Sequence, residues 1–192
     1  MTSLMEIMVA LPDGTLREPQ RFHAAIYGAF AEAGQPRDFL FKGLGFNKVA
    51  EGGADVAIVR ARAFRGGLAA NARPITYARD RDAYDFHLTA APQYRDHATQ
   101  KLRFLPVEDA RRSHHLAWLA RKAAGCGFAL DGDVGLERRI LSVPQKGGLA
   151  IDHCEFSGRL TVTDHARFAA ALEHGIGPRA AYGYGLLSLQ AS

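Results

Sequence analysis

A glycine-rich segment near the end of the sequence is the stretch best suited to contact a phosphate chain. It reads GIGPRAAYGYGLLSL and covers residues 175–189. Its four glycines are Gly175, Gly177, Gly183 and Gly185. Glycine permits positive φ angles and a close approach of the main chain to a ligand. The loop could therefore present backbone N–H groups, with Arg179 as a cation, to phosphate oxygens. A helix C-cap followed by an irregular turn would explain the same glycines without a ligand.

Neither of the common nucleotide-binding glycine motifs fits this loop. A dinucleotide-binding GxGxxG lies between a strand and the helix that follows it, whereas this loop follows a predicted helix and precedes a strand. Ala180 stands where the third glycine would be. A P-loop needs Lys followed by Ser or Thr after its last glycine, and Leu186 and Leu187 stand there instead. The sequence therefore excludes both of these sites.

Basic side chains concentrate in two further segments. The first is a predicted hairpin, ERRILSVPQKGG, in which Arg138, Arg139 and Lys146 flank the turn. The second is a predicted helix over 107–124. The helical period places six of its residues on one face, namely Arg111, His114, His115, Trp118, Arg121 and Lys122. Such a block is usually a solvated surface, and a helical tryptophan is more often a core residue than a platform for a base.

Composition allows a packed core but says little about partners. The chain has 192 residues, 47% of them apolar, and a net charge of +4, which only weakly favours a polyanionic partner. No apolar run is long enough for a membrane span, and the N-terminus has no signal-peptide pattern, so we expect a cytoplasmic protein. Cys126 and Cys154 are expected to be free thiols. The histidines show no ligand spacing, so we expect no metal and no cofactor.

Apolar periodicity predicts an α+β protein of two tandem ferredoxin-like domains. Helices are predicted at 18–34, 106–125 and 163–175, and strands in the order of split βαβ units rather than of a long parallel series. The segment PITYA at 74–78 is predicted as a weak strand. We place the domain boundary between residues 80 and 81, which gives domains of 1–80 and 81–192.

Four segments together resemble a known family. The tail CEFSGRLTVTDHARFAAALEHGIGPRAAYGYGLLSL is similar to the C-terminus of the CasE-type CRISPR repeat endoribonucleases of the RAMP superfamily. RFHAAIYGAF and RDFLF resemble the first helix and second strand of those proteins, and HLAWLARK resembles a later helix. The matches run in order from about residue 20 to 190 and are poor at 47–82.

The resemblance implies a fold, an activity and partners. The fold is two ferredoxin-like domains. The activity is metal-independent cleavage of CRISPR precursor RNA just 3′ of the repeat stem-loop. The product RNA stays bound, and the protein becomes a subunit of the Cascade surveillance complex. Two readings from other classes stay open: a non-catalytic RAMP subunit that holds the repeat hairpin without cutting it, and a ferredoxin-like protein that binds no RNA.

The resemblance also assigns site residues. The catalytic histidine of the family matches His23, which the helical period places at the edge of the apolar face, beside Tyr27. Histidine suits the proton steps of RNA cleavage. Many members carry a tyrosine three residues before this histidine, and here that position is Gln20, so Tyr27 is a possible substitute.

The remaining assigned residues are those that would contact RNA. In the family a basic hairpin, here with Arg138, Arg139 and Lys146, enters the groove of the RNA stem. The glycine-rich loop lies against RNA backbone in this reading. Its assigned residues are Gly175, Gly177, Arg179 and Gly183.

Overall fold

The computed structural model describes residues 4–32, 34–44, 54–96, 98–105, 113–143 and 149–191. Within these residues the chain forms two four-stranded antiparallel sheets, each packed against helices. None of the described helices is long and apolar enough to cross a membrane.

The first sheet comes from the N-terminal part of the chain. Its elements are β1 Met5–Leu11, α1 Pro19–Phe30, β2 Phe39–Leu44, β3 Asp55–Ala61 and β4 Arg73–Pro74. The strands lie in the spatial order β4-β1-β3-β2. A short 3₁₀ helix, Gly66–Asn71, stands between β3 and β4, where a ferredoxin-like unit has its second helix.

The second sheet repeats this order. Its elements are β5 Ala83–Ala90, α2 Ser113–Gly125, β8 Phe128–Val143, β9 Leu149–Val162, α3 His165–His174 and β10 Leu187–Ala191. A two-stranded ribbon, β6 Gln93–Arg95 and β7 Leu102–Phe104, lies between β5 and α2. The spatial order β10-β5-β9-β8 is that of the first sheet, which confirms the predicted fold of two tandem ferredoxin-like domains.

Two local predictions differ from the structure. The first helix ends at Phe30, four residues before the glycine at which we expected it to stop. The predicted strand 74–78 is wrong beyond Pro74, because the chain turns there to contact the second domain. The Tyr84 hydroxyl bonds both the N–H and the carbonyl of Ala78, and the Tyr77 hydroxyl lies 2.9 Å from His165 Nδ1. The turn of the predicted hairpin and residues 106–112 lie outside the described residues.

Buried side chains of the two sheets form separate cores that one arginine connects. Arg60 on β3 is 3% exposed. Its guanidinium donates to the carbonyl of Leu172 at 3.0 Å and to that of Leu187 at 2.8 Å, and it pairs with Glu6. These partners belong to β1, α3 and β10, so a single side chain ties both halves together. The predicted boundary between residues 80 and 81 falls in the connection between β4 and β5.

Candidate active site

His23 lies where α1 meets the glycine-rich loop. Pro19 starts the helix, and Phe22 and Ile26 are buried against the first sheet, which leaves His23 half-buried at the edge of the packed face. Its Nδ1 lies 2.6 Å from the carbonyl oxygen of Ala181. A carbonyl oxygen only accepts, so Nδ1 carries the hydrogen and Nε2 is left to exchange a proton with a ligand.

Two tyrosine rings flank the His23 imidazole. Tyr27, one turn further along α1, has its ring centroid 4.0 Å from that of His23. Tyr182 in the loop lies 5.7 Å away. Gln20, one turn before His23, is exposed. The structure therefore places Gln20, His23 and Tyr27 along one side of α1, as the helical period predicts.

The glycines of the loop make room for protein atoms. Gly177 has a φ of +89° and Gly183 a φ of +85°, values that glycine adopts readily. A Cβ on Gly183 would lie 2.7 Å from Phe22 Cε1, and one on Gly177 would lie 3.0 Å from Trp118 Cζ2. Gly175, with a φ of +83°, ends α3 and faces Leu40. These three glycines let the loop pack on α1, β2 and α2, a reason the sequence did not suggest.

Arg179 is held in an unusual conformation. Its φ of +70° lies in the left-handed region that non-glycine residues rarely adopt. Its Nε is buried and has no hydrogen-bond partner among the described residues. A strained backbone and an unsatisfied cationic donor at one residue are features that functional sites often retain.

Arg138 and Arg139 point to opposite faces of the β8–β9 sheet, as neighbouring residues of a strand must. Arg138 faces α2, and its Nε donates to Asp152 at 2.7 Å. Asp152 is fully buried and lies 3.1 Å from His115 Nε2. The side chain of Arg139 is 44% exposed and faces the first domain. The two arginines therefore do not form one basic surface. Lys146 lies outside the described residues.

His115, Asp152 and Cys154 place one ligand atom each within 4.8 Å of one another. That grouping alone would suit a soft divalent cation. Arg138, however, already donates to the Asp152 carboxylate. Its guanidinium neutralises the negative charge that would otherwise attract a metal ion. We assign no metal to this group.

The predicted basic face of α2 is wrong. Trp118 is 3% exposed and stacks on Phe156 at 6.2 Å, and His115 is also 3% exposed, whereas His114, Arg121 and Lys122 face solvent. A buried tryptophan is unavailable to stack on a base. Arg111 lies outside the described residues. The helical period grouped these residues by charge, but packing decided which face of α2 is buried. Trp118 entered the core, and His115 could follow because Asp152 accepts its hydrogen bond.

Sequence reasoning missed a polar cluster centred on Glu155. The Glu155 carboxylate lies 2.9 Å from His153 Nε2 and 3.4 Å from His87 Nε2. Hydrogen bonds from His153 and then from His87 hold the pKa of Glu155 well below its usual range. His87 Nδ1 lies 3.3 Å from the ammonium of Lys42, which is 3% exposed. The alternation of His153 and Glu155 along one strand face was the available signal.

The cluster is connected to the glycine-rich loop. His153 Nδ1 lies 3.1 Å from the hydroxyl of Tyr184, which is 3% exposed. Burial raises the pKa of Tyr184 above its usual value. A cavity of ≈ 50 Å³ lies between Tyr182, Gly183 and Glu155. Tyr182 also contacts His23, so the cluster and the histidine lie on either side of the same loop.

Comparisons with known proteins concern the family and the fold of this chain. A family model described as CRISPR associated protein matches residues 10–191. Cse3 from Thermus thermophilus, bound to an RNA representing a pre-cleavage complex, superposes with a TM-score of 0.79 at 23% identity, over 98% of this chain and 100% of that one. Cas6e from Escherichia coli K-12 gives a TM-score of 0.71 at 20% identity, over 98% and 100%. A comparison with curated protein sequences gave no match.

A chain of a CRISPR RNA-guided surveillance complex is also similar in structure. It gives a TM-score of 0.68 at 18% identity and covers 98% of this chain and 100% of that one. The structural likenesses show a shared fold, and the family model spans nearly all of the sequence. This chain therefore belongs to the CRISPR-associated protein family, with the two-domain fold of Cse3 and Cas6e.

Proposed function

We propose that this protein is a metal-independent endoribonuclease that cuts CRISPR precursor RNA at the base of the repeat stem-loop. It then stays bound to the product as a subunit of a Cascade-type, RNA-guided surveillance complex in the cytoplasm. Membership in the CRISPR-associated family supports this, as does a fold shared along the whole chain with Cse3, which was solved with a pre-cleavage RNA. Likeness to a chain of a surveillance complex supports the assembly.

The contact between His23 and Ala181 is the observation that carries the proposal. Cleavage without a metal needs removal of a proton from the 2′-hydroxyl, which attacks phosphorus, and return of a proton to the departing 5′-oxygen. The Ala181 carbonyl orients the ring and fixes the hydrogen on Nδ1, so Nε2 serves as base in the neutral ring or as acid in the protonated one. A surface histidine would not need such an orienting partner.

Other residues are assigned to RNA contacts within the same proposal. Gln20 and Tyr27 flank His23 on α1 and would contact the sugar–phosphate chain. Arg179 would contact a phosphate through its guanidinium, after a movement that exposes the buried and unpartnered Nε. Arg139 faces the cleft between the two domains, where Pro19 and Phe22 lie opposite it, and is a candidate for contact with the RNA stem. Arg138 donates to Asp152, and its Nη2 is buried without a partner, so contact with RNA would require this side chain to move.

The loop glycines Gly175, Gly177 and Gly183 and the hairpin lysine Lys146 complete the proposed RNA-binding set. For the glycines the proposal now concerns the main chain around them, because their α-carbons face protein atoms. Phosphate contacts of this kind make binding steeply dependent on salt.

Cleavage of a repeat hairpin in the presence of EDTA tests the function. The purified protein is incubated with the repeat RNA encoded beside its gene, and the products are mapped at nucleotide resolution. We expect one cut at the 3′ base of the stem, with the stem-containing product still bound after gel filtration. A scrambled RNA of equal length serves as the control. No cleavage in EDTA, together with cleavage on adding a divalent metal, would contradict the proposal.

A non-catalytic subunit that holds the repeat hairpin is the second candidate. Gln20 favours it, because many family members carry at this position a tyrosine that helps to place the scissile phosphate, and this chain lacks that phenol. This candidate predicts tight, salt-sensitive binding of the hairpin with no cut at any time. A Gln20→Tyr variant distinguishes the two, since gain of cleavage by the variant alone would assign the natural chain to binding.

A further inference from the structure

We propose that Glu155, His153 and Tyr184 act together as a positioning device that holds the Ala181 carbonyl against His23. None of the three touches the reacting atoms in this account. They fix the loop that orients the catalytic imidazole. The inference rests on the proposed function, since it concerns the residue that the proposed reaction uses.

The device is a continuous chain of side-chain contacts. A carboxylate only accepts, so His153 Nε2–H donates to Glu155 over 2.9 Å. His153 Nδ1 then accepts from the Tyr184 hydroxyl over 3.1 Å. Arg139 lies 3.4 Å from the same Nε2 and 4.0 Å from Glu155, so it adds positive charge beside the carboxylate. Each imidazole nitrogen of His153 therefore has one defined role.

Tyr184 connects the Glu155–His153 pair to the loop that carries Ala181. It follows the 3₁₀ turn Ala180–Tyr182, which carries Ala181, by two residues. The N–H of Gly185, the next residue, bonds the carbonyl of Thr89 at 2.8 Å. The turn is therefore tied to β9 by a side chain and to β5 by its main chain. Loss of the Tyr184 hydroxyl would break the bond to His153 and keep the bond between Gly185 N–H and the Thr89 carbonyl. Only the 3₁₀ turn that carries Ala181 would then become less fixed.

A second arm connects the device to the first domain. Glu155 also faces His87 on β5 over 3.4 Å, and His87 faces the Lys42 ammonium on β2 over 3.3 Å. The groups around Glu155 thus come from four strands, with Arg139 on β8 and His153 on β9. Phe41 on β2 contacts Phe22 on α1. The device is therefore connected both to the helix that carries His23 and to the loop that carries Ala181.

The contacts of His153 favour positioning over direct RNA binding. The residue is 9% exposed. Both of its ring nitrogens are already engaged, Nε2 with Glu155 and Nδ1 with the Tyr184 hydroxyl. In this proposal the effect of Glu155 and His153 therefore reaches RNA through the loop.

Tyr184→Phe and Glu155→Gln test the device. We expect the single-turnover cleavage rate at saturating RNA to fall about two- to tenfold in each, the value of one lost net hydrogen bond, with Kd for the hairpin unchanged. In the free protein, the NMR signal of the His23 Hδ1 proton, protected by Ala181, should broaden through exchange with water. Glu137→Gln is the matched control, because Glu137 is exposed and lies directly opposite Glu155 on β8.

The outcomes separate this inference from the proposed function. Wild-type rates and an unchanged Hδ1 signal in Tyr184→Phe would overturn the device. If Glu155→Gln unfolds, Tyr184→Phe still decides, because it removes one hydroxyl from an aromatic core position. If the natural protein cleaves no RNA, the proposed reaction fails, whereas the NMR comparison needs no RNA and still reports whether the device holds His23.

Discussion

At the scale of single residues, the proposed reaction depends on His23, whose orientation and protonated nitrogen are set by only a few atoms. One carbonyl fixes its tautomer, and two tyrosine rings fix its plane. Neither constraint is visible from the histidine and its neighbours in the sequence, because Ala181 and Tyr182 come from a loop about 160 positions away.

His23→Ala should remove chemistry and leave binding. General acid–base help is worth on the order of 10²–10⁴ in rate, while one half-buried ring adds little contact area. We expect a drop of that order in single-turnover cleavage, with Kd for the hairpin within about twofold by the same reasoning. His114→Ala, an exposed histidine on α2, is the control. A fast-cleaving His23→Ala protein would remove this residue from the mechanism.

Glu155 should make stability depend on pH in a defined direction. Its pKa is lowered by its imidazole partners, so the folded state favours the carboxylate. This contribution is fully present above the ordinary value of 4.5 and is lost as pH falls below it, toward the folded pKa. In urea titrations from pH 5 to 3, the difference in unfolding free energy between the natural protein and Glu155→Gln should narrow as pH falls below 4.5. A gap that widens on acidification would contradict this.

At the scale of elements, packing reassigns residues that the sequence grouped by charge or by type. Strand alternation sends Arg138 toward α2 and Arg139 toward the cleft. The glycine-rich loop is shaped by what lies beneath it, namely Phe22, Phe41 and Trp118.

Gly183→Ala should destabilise the loop more than a glycine replacement in open space. A non-glycine residue at a φ of +85° costs about 1–2 kcal/mol of folding stability. The added Cβ also meets Phe22, and this overpacking costs about 1–3 kcal/mol more. Gly132→Ala in β8 is matched, since its φ is +70° and nothing lies within 4 Å of its Cβ. Chemical unfolding should show the larger loss for Gly183→Ala. Equal losses would mean that Phe22 moves aside freely.

Arg138→Ala and Arg139→Ala should have different effects. Removing Arg138 leaves Asp152 as a buried carboxylate without its main partner, which costs about 3–5 kcal/mol of folding stability. Removing the exposed Arg139 should leave the unfolding midpoint nearly unchanged. It should make the dependence of log Kd on log salt shallower by roughly one unit. The same stability loss in both variants would show that the two faces of the hairpin are equivalent.

At the scale of the whole molecule, two repeats of one topology are fixed against each other, and the proposed site lies where they meet. Both sheets share the 4-1-3-2 order, and His23 of the first repeat bonds the loop that precedes the last strand of the second. The geometry of the site therefore depends on the contact between halves.

Arg60→Met should weaken that contact strongly. It leaves the carbonyls of Leu172 and Leu187 and the Glu6 carboxylate without a buried donor, at a cost of about 3–5 kcal/mol. Arg62→Ala, which removes an exposed pair with Glu173 between the same two halves, is the control and should leave the unfolding midpoint nearly unchanged. Equilibrium unfolding in urea measures both. An Arg60→Met protein as stable as the control would show that the halves need no buried tie.

The order of helices and strands was determined by the sequence, because apolar periodicity and glycine or aspartate caps act over a few neighbouring residues. Asp164 caps α3 and Gly175 ends it, within the predicted helix 163–175. The family could be assigned from short segments in a fixed order, and the same resemblance singled out His23 as the proposed catalytic residue. The domain fold was therefore predictable before any contact was known.

Only the tertiary structure decided which polar groups meet. Trp118 and His115 turned inward because the core needed their face of α2. Glu155 contacts His153 on its own strand, His87 on β5 and Arg139 on β8, and His87 in turn contacts Lys42 on β2. Hydrogen bonds act over about 3 Å in space and leave no period in a sequence, so the partners of His23, Arg138 and Glu155 became visible only when the two halves were packed together.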